Sequence, residues 1–154
     1  IPADTKKAPH YGYPFIHSAP DGSRIKDPKF GDHPDAQGLA FVDPAIRVQA
    51  HAAVLGMSFY RGEQFPAPFS NALFVAEHGS WNRSKKVGYQ VSVATFDSAG
   101  KPTYQPFITG WLEGQKAWGR PNDVLPTPDG GLLVSDDKAG VIYRVSATKP
   151  LAAL

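Results

Sequence analysis

The sequence predicts an all-β chain made of short antiparallel strands grouped into propeller blades, and three observations point there. Fifteen Gly and fifteen Pro in 154 residues leave no long helical period. The apolar segments are short, and some alternate with period two while others run unbroken, which are the signatures of half-covered and fully covered strands. The order of these segments then repeats, about 50 residues apart, and a repeat of that length built from short strands is the mark of a propeller blade.

Residues 1–54 read as an irregular Pro/Gly-rich region. Pro2, Pro9, Pro14, Pro20, Pro28 and Pro34 exclude a long helix and leave little room for central strands. Tyr11, Tyr13, Phe15, Ile16, Phe30, Leu39 and Phe41 are too apolar for a disordered tail, so the region reads as an ordered loop packed on a propeller. A structureless stretch of this length argues against a self-contained fold. Asp21, Asp27, Asp32 and Asp35 lack the regular spacing of a calcium loop and read as turn residues.

Residues 55–110 read as one blade. Leu55–Tyr60 is a strand, Arg61-Gly62 a turn, and Leu73–Glu77 a second strand. In Tyr89–Thr95 the alternation puts Tyr89, Val91 and Val93 on one face. Asp97–Gly100 is a turn, and Tyr104–Ile108 an outer strand.

Residues 111–154 read as the final blade and a C-terminal tail. Asn122–Leu125 precedes the strong turn Pro128-Asp129-Gly130-Gly131. Leu132–Asp136 answers Leu73–Glu77, and Gly140–Val145 answers Gly88–Val93. An open meander and a small sandwich are the alternatives. Two blades cannot close a ring of four to eight. The chain is therefore expected to be a fragment holding about two blades, the remainder being supplied elsewhere. It opens with Ile1, which fits a processed or trimmed chain.

The bulk numbers exclude several classes. A net charge of +2 with dispersed positive residues gives no stripe for nucleic acid. No apolar run approaches the roughly 20 residues of a membrane helix. The absence of cysteine removes disulfide and thiolate chemistry.

The densest chemistry lies in Asn71–Arg83. An apolar run ends in Glu77-His78-Gly79-Ser80-Trp81-Asn82-Arg83, an acid, an imidazole, an indole, an amide and a guanidinium at a strand end. Loops on a rigid sheet commonly carry function. The plain alternative is a solvated turn with a Trp lid over the core. Asn82-Arg83-Ser84 also matches a glycosylation sequon, a short pattern that recurs by chance.

His78–Arg83, Gly110-Trp111-Leu112, Trp118-Gly119-Arg120-Pro121, Pro128-Asp129-Gly130 and Leu132–Asp137 with Gly140–Val145 resemble the closing blades of the glucose/sorbosone dehydrogenase family. His10–Pro14 and His51–Tyr60 fit its sorbosone branch. The resemblance implies a six-bladed β-propeller, periplasmic or secreted, that binds pyrroloquinoline quinone (PQQ) beside a calcium ion and oxidises a sugar for an electron acceptor. In such a division of labour the cofactor takes the electrons while the protein positions and deprotonates the substrate.

Carried onto this sequence, the resemblance places Arg120 on the quinone. Guanidinium suits a cofactor bearing three carboxylates, because it pairs with carboxylate bidentately. The alternative is a surface ion pair of Arg120 with Asp123 or Asp129. A second arginine of the family pattern is replaced here by Asn122. Arg83, with Lys85 next, is the candidate for another positive charge, and Trp81 for a cover over the planar quinone. His51 and His78 are the remaining cofactor-side candidates. His51 reads equally as a core-edge histidine bonded to backbone, and Glu77 is close enough in sequence to orient His78. The catalytic histidine and the calcium ligands belong, by the resemblance, to blades upstream of this chain. The chain thus reads as the C-terminal part of a PQQ-dependent sugar dehydrogenase, inactive by itself. Its rival is a non-catalytic propeller module that uses its tryptophans to bind a glycan or protein partner.

Overall fold

The structure is a computed structural model, and it describes residues 9–19 and 21–147. Expectations that rest on Pro2, on Pro20 or on the tail beyond residue 147 lie outside those residues. The chain divides into two compact units, Ile1–Arg47 and Val48–Leu154.

In the first unit a small hairpin pairs β1 (Ile16–Ser18) with β2 (Arg24–Lys26), antiparallel. Asp21 Oδ1 closes its turn by accepting from the Ser23 amide at 2.9 Å and the Ser23 hydroxyl at 2.7 Å. Asp27 Oδ1 caps the next turn, accepting from the amides of Lys29 and Phe30, while its Oδ2 meets His17 Nε2 at 2.8 Å. These aspartates are turn residues because a short carboxylate reaches an amide two residues on. Arg24 grips Asp43 with two nitrogens and the Phe41 carbonyl with a third bond. His10 bridges to Phe41 and packs its ring on Phe15 and Phe41. Phe15 is buried, whereas Tyr11 and Tyr13 are exposed.

The second unit holds two larger sheets and a hairpin. The first sheet runs in chain order through β3 (Val54–Phe59), β4 (Leu73–Glu77), β5 (Gln90–Phe96) and β6 (Pro102–Ile108). The hairpin is β7 (Leu112–Glu113) with β8 (Lys116–Ala117). The second sheet runs through β9 (Pro121–Pro126), β10 (Leu132–Asp136) and β11 (Val141–Val145). All these pairings are antiparallel, and neither sheet closes on itself. Among the described residues helix is confined to single 3-10 turns at Pro34–Ala36 and Ala67–Phe69. No described helix is long and apolar enough to cross a membrane.

The strand β4 is buried over Phe74–Glu77, as an unbroken apolar run requires. On one face Phe74 and Ala76 join Val91 and Val93 of β5 and meet Val124, Leu132 and Val134 of the second sheet. The alternation of Tyr89, Val91 and Val93 therefore faces this core. Phe74 and Phe107 sit edge to face at 4.7 Å, a geometry that adds to the area buried. The first strands of the two sheets lie side by side. Gly56 of β3 is pressed against Asp123 of β9, and no Cβ fits between them. Tyr60, fully buried, ties the sheets together: its hydroxyl donates to the Gly130 carbonyl at 2.5 Å and accepts from the amides of Gln64 and Phe65 at 3.1 Å. On the other side of the first sheet Val75 of β4 and Ser92 and Ala94 of β5 are also buried, while Leu55, Met57 and Phe59 of the edge strand β3 are exposed, as are Leu125 and Ile142 on the second sheet.

Candidate functional site

At the end of β4 the strand alternation sends neighbouring side chains in opposite directions. Glu77, only 3% exposed, accepts from Ser92 Oγ and Tyr104 Oη at 2.7 Å and from Gln90 Nε2 at 3.3 Å. Burial, and then the bond to Glu77, push the Tyr104 phenol above its ordinary range. His78 instead puts Nε2 at 2.8 Å from Asp137 Oδ1. The expectation that Glu77 orients His78 is corrected: adjacency along a strand separates two side chains, and Asp137 is the partner.

The acids at the end of β10 divide their work. Asp136 is buried and caps the strand end, its Oδ1 accepting from the amides of Arg120 at 2.9 Å and Ala139 at 2.8 Å. Its other oxygen accepts from Tyr143 Oη at 3.2 Å. Asp137 is half exposed, and the His78 bond holds its carboxyl below the usual range.

Arg120 joins the two strand ends. Its Nε donates to the His78 carbonyl at 3.0 Å and its Nη2 to the Gly79 carbonyl. Its Cζ lies 5.4 Å from the centre of the Tyr89 ring, within cation–π range. Asp129 pairs with Arg144, and Asp123 Oδ1 accepts from the Val124 amide at 2.8 Å. The alternative of an Arg120 ion pair with either acid is therefore not what forms. Among the described residues Arg120 and Arg83 have no carboxylate partner within 4.0 Å.

The loop beyond His78 is held by its own geometry. Gly79 adopts φ +94°, and a Cβ there would stand 2.5 Å from the Tyr89 ring, so only glycine fits. Tyr89 donates its hydroxyl to the Ser80 carbonyl and itself takes φ +61°. Opposite, the segment 50–53 receives the loop through main-chain bonds. The amides of His78 and Gly79 donate to the carbonyls of Ala53 and Ala52 at 2.9 and 2.8 Å. Arg83 sends Nη1 to the Ala50 carbonyl at 3.1 Å and Nε to the Lys85 carbonyl at 2.8 Å. His51 and Ala53 also carry positive φ, at 71° and 53°. Such backbone strain concentrates at functional sites.

Of the residues singled out in the sequence, Arg120, Arg83, His78 and His51 thus border one pair of loops. His51 is exposed, and its side chain makes no hydrogen bond among the described residues, so it is not a core-edge histidine. Trp81 is 84% exposed and is not a lid over the core. Lys86, next to the expected Lys85, lies 5.8 Å from the Tyr89 ring centre. Tyr89 and Asp137 were not anticipated as partners here. The aromatic ahead of a strand and the second acid of Asp136-Asp137 were the available signals. No group of three or more His, Cys, Asp or Glu among the described residues could hold a metal ion.

The TrAA12-like family model matches residues 2–148. The chain belongs to the TrAA12-like family. An uncharacterised protein of Borreliella burgdorferi is 38% identical over 145 residues, covering 92% of this chain and 37% of that protein. The iodide structure of the Trichoderma reesei carbohydrate-active enzyme of family AA12 shares the fold at TM-score 0.69 and 22% identity, over 90% of this chain and 39% of that one. The holo form of the PQQ domain of pyranose dehydrogenase from Coprinopsis cinerea aligns at TM-score 0.66 and 25% identity, over 88% and 40% respectively. The chain spans about two fifths of the length of these relatives. The relation anticipated from the sequence therefore holds at the level of a family related to PQQ-type sugar oxidoreductases, and the matched family is TrAA12-like and not the sorbosone branch.

Proposed function

We propose that the chain is part of a PQQ-dependent sugar oxidoreductase, forming two adjacent blades of a six-bladed propeller and one side of the cofactor cradle. The neighbouring first strands β3 and β9, and the exposed apolar side chains of Leu55, Met57 and Phe59 on the edge strand β3 and of Leu125 and Ile142 on the second sheet, support the blade reading. One observation carries the cofactor reading: Arg120 is fixed by two carbonyls and an aromatic ring and has no acid partner among the described residues. A guanidinium held this way, with Nη1 to spare, fits a carboxylate-bearing planar cofactor. Arg83 would supply a second positive charge and Trp81 an aromatic cover, with His51 and His78 at the rim. When bound, PQQ supplies an ortho-quinone that accepts the substrate's two electrons. The residues of this chain bind and orient it.

The described residues do not fit the calcium site, since Asp136 and Asp137 are occupied by Arg120, Ala139, Tyr143 and His78. A sugar substrate, an external electron acceptor and a periplasmic or secreted location complete the proposal. The first test is fluorescence titration of the chain with PQQ. Replacing Arg120 by Gln is expected to weaken binding about 10–100-fold, the worth of a charge-assisted bond, and Arg120→Lys to weaken it less. Unchanged affinity in Arg120→Gln sinks the proposal. The exposure of Trp81 favours one rival, a non-catalytic glycan-binding surface. In that case Trp81→Ala abolishes glycan binding while PQQ does not bind at all.

A further inference from the structure

The two sheets of the second unit are built alike and finish differently. In order, β9 answers β3, β10 answers β4 and β11 answers β5, with every neighbouring pair antiparallel. In the first sheet β5 then takes β6 along its outer side. Among the described residues nothing pairs with the outer side of β11. Because β3 and β9 lie side by side, β6 and β11 are the two outward edges.

Sheet edges attract other strands, and an edge meant for solvent is blunted by proline, free charge or a bulge. The edge strand β6 has two of these devices. Pro102 and Pro106 carry no N–H, and its register against β5 shifts between Val91 and Ser92. The edge strand β11 has none of them. Val141-Ile142-Tyr143-Arg144-Val145 holds no proline and pairs with β10 residue for residue without a shift. Apart from Arg144 it is all β-branched or aromatic, the composition of a strand with neighbours. The charge of Arg144 is engaged by Asp129. Tyr143 and Val145 pack on the core, whereas Val141 and Ile142 are exposed. One edge is guarded and the other is left ready to pair.

We propose that the free edge of β11 receives an extended strand from the part of the protein outside this chain, which becomes the fourth strand of the second sheet. The inference rests on the blade reading above, which assigns the remaining blades to polypeptide beyond these 154 residues. The chain spans about two fifths of the length of its relatives, which leaves polypeptide to supply the strand. Its length is about that of β11, five residues. It carries apolar side chains at every second position, continuing the row of Tyr143 and Val145 across the sheet. Affinity comes from main-chain bonds to the alternate amides and carbonyls that β11 turns outward, and selectivity from that apolar row.

The test is residue-resolved amide hydrogen exchange. In the unmodified 154-residue chain at micromolar concentration, every second amide of β11 is expected to exchange freely while those facing β10 are protected. The probe is a copy of the β6 segment, Pro102–Ile108, appended to the C-terminus through a flexible Gly/Ser linker, which holds it at high effective concentration. The appended strand is expected to slow the free amides of β11 by about 10-fold or more. Gln105→Pro, made in the appended copy alone so that the fold is untouched, is expected to cancel the effect. Free amides unchanged by the appended strand, or protection that survives the proline, overturns the inference. Protection already present in the unmodified chain overturns it too: growth with concentration gives the edge to a second copy, and independence of concentration gives it to the segment after residue 147. PQQ titration of the same samples keeps the readings apart. Slowed β11 exchange without PQQ binding sinks the cofactor reading alone, and PQQ binding without slowed exchange sinks this inference alone.

Discussion

The guanidinium of Arg120 stands over the ring of Tyr89, 5.4 Å from its centre, and the same ring closes against Gly79, whose carbonyl Arg120 holds. One aromatic side chain thus supports both the cation and the loop that the cation clasps. Replacing Tyr89 by Phe keeps the ring and loses only the hydroxyl bond to Ser80. Replacing it by Leu removes the cation–π contact as well, and is expected to cost about 0.5–2 kcal/mol more. Urea denaturation of the two variants, compared with each other, reads that difference.

Gly79→Ala is expected to destabilise the chain by about 1–3 kcal/mol, from φ +94° combined with a Cβ pressed on the Tyr89 ring. The NMR signals of His78 and Arg120 should shift with it, because both are tied to that loop. A neutral Gly79→Ala would show that the ring moves aside freely.

Tyr60→Phe removes the hydroxyl that meets the Gly130 carbonyl and the amides of Gln64 and Phe65. Buried groups left without a partner cost about 1–3 kcal/mol. The expected loss is in that range, although the ring still stacks on Phe65 at 4.9 Å. Thermal unfolding measures it.

The carboxyl of Asp27 is brought down to about 2 by its bond from His17 first, and then by the amides of Phe30 and Lys29. A depressed folded value means the stabilisation is present above the unfolded value and is lost as pH falls. The window runs from roughly pH 4 down to pH 2. Carboxyl NMR titration should place the Asp27 midpoint near the lower end, and His17→Ala should raise it.

Mixed with PQQ, calcium and glucose, the 154-residue chain is expected to show no dye-coupled turnover, since the proposal makes it only one side of a cradle. Sustained sugar oxidation by this chain alone would contradict that assignment.

Much of the framework was legible because its causes are local. The runs Leu73–Glu77 and Leu132–Asp136, and the Asp129-Gly130 turn between strands, state their structure within a few residues. The β7–β8 hairpin was not read: two residues on each side of Gly114-Gln115 give no period to count. In the candidate site the loops were visible and the partners were not. His78 and Asp137 are 59 residues apart, and Arg120 reaches a carbonyl 42 positions away. Neither distance leaves a trace in spacing. The nearest acid, Glu77, misled for the same reason that makes β4 a strand, since successive side chains turn to opposite faces.

The open face carrying Leu55, Met57 and Phe59 also governs how the chain behaves in a tube. A hydrocarbon strip beside unpaired edge amides is adhesive, and salt strengthens that adhesion by screening the charges that keep copies apart. Light scattering should therefore report particles that grow with concentration and ionic strength, and the chain's colloidal lifetime will be set by that strip well before its unfolding sets a limit.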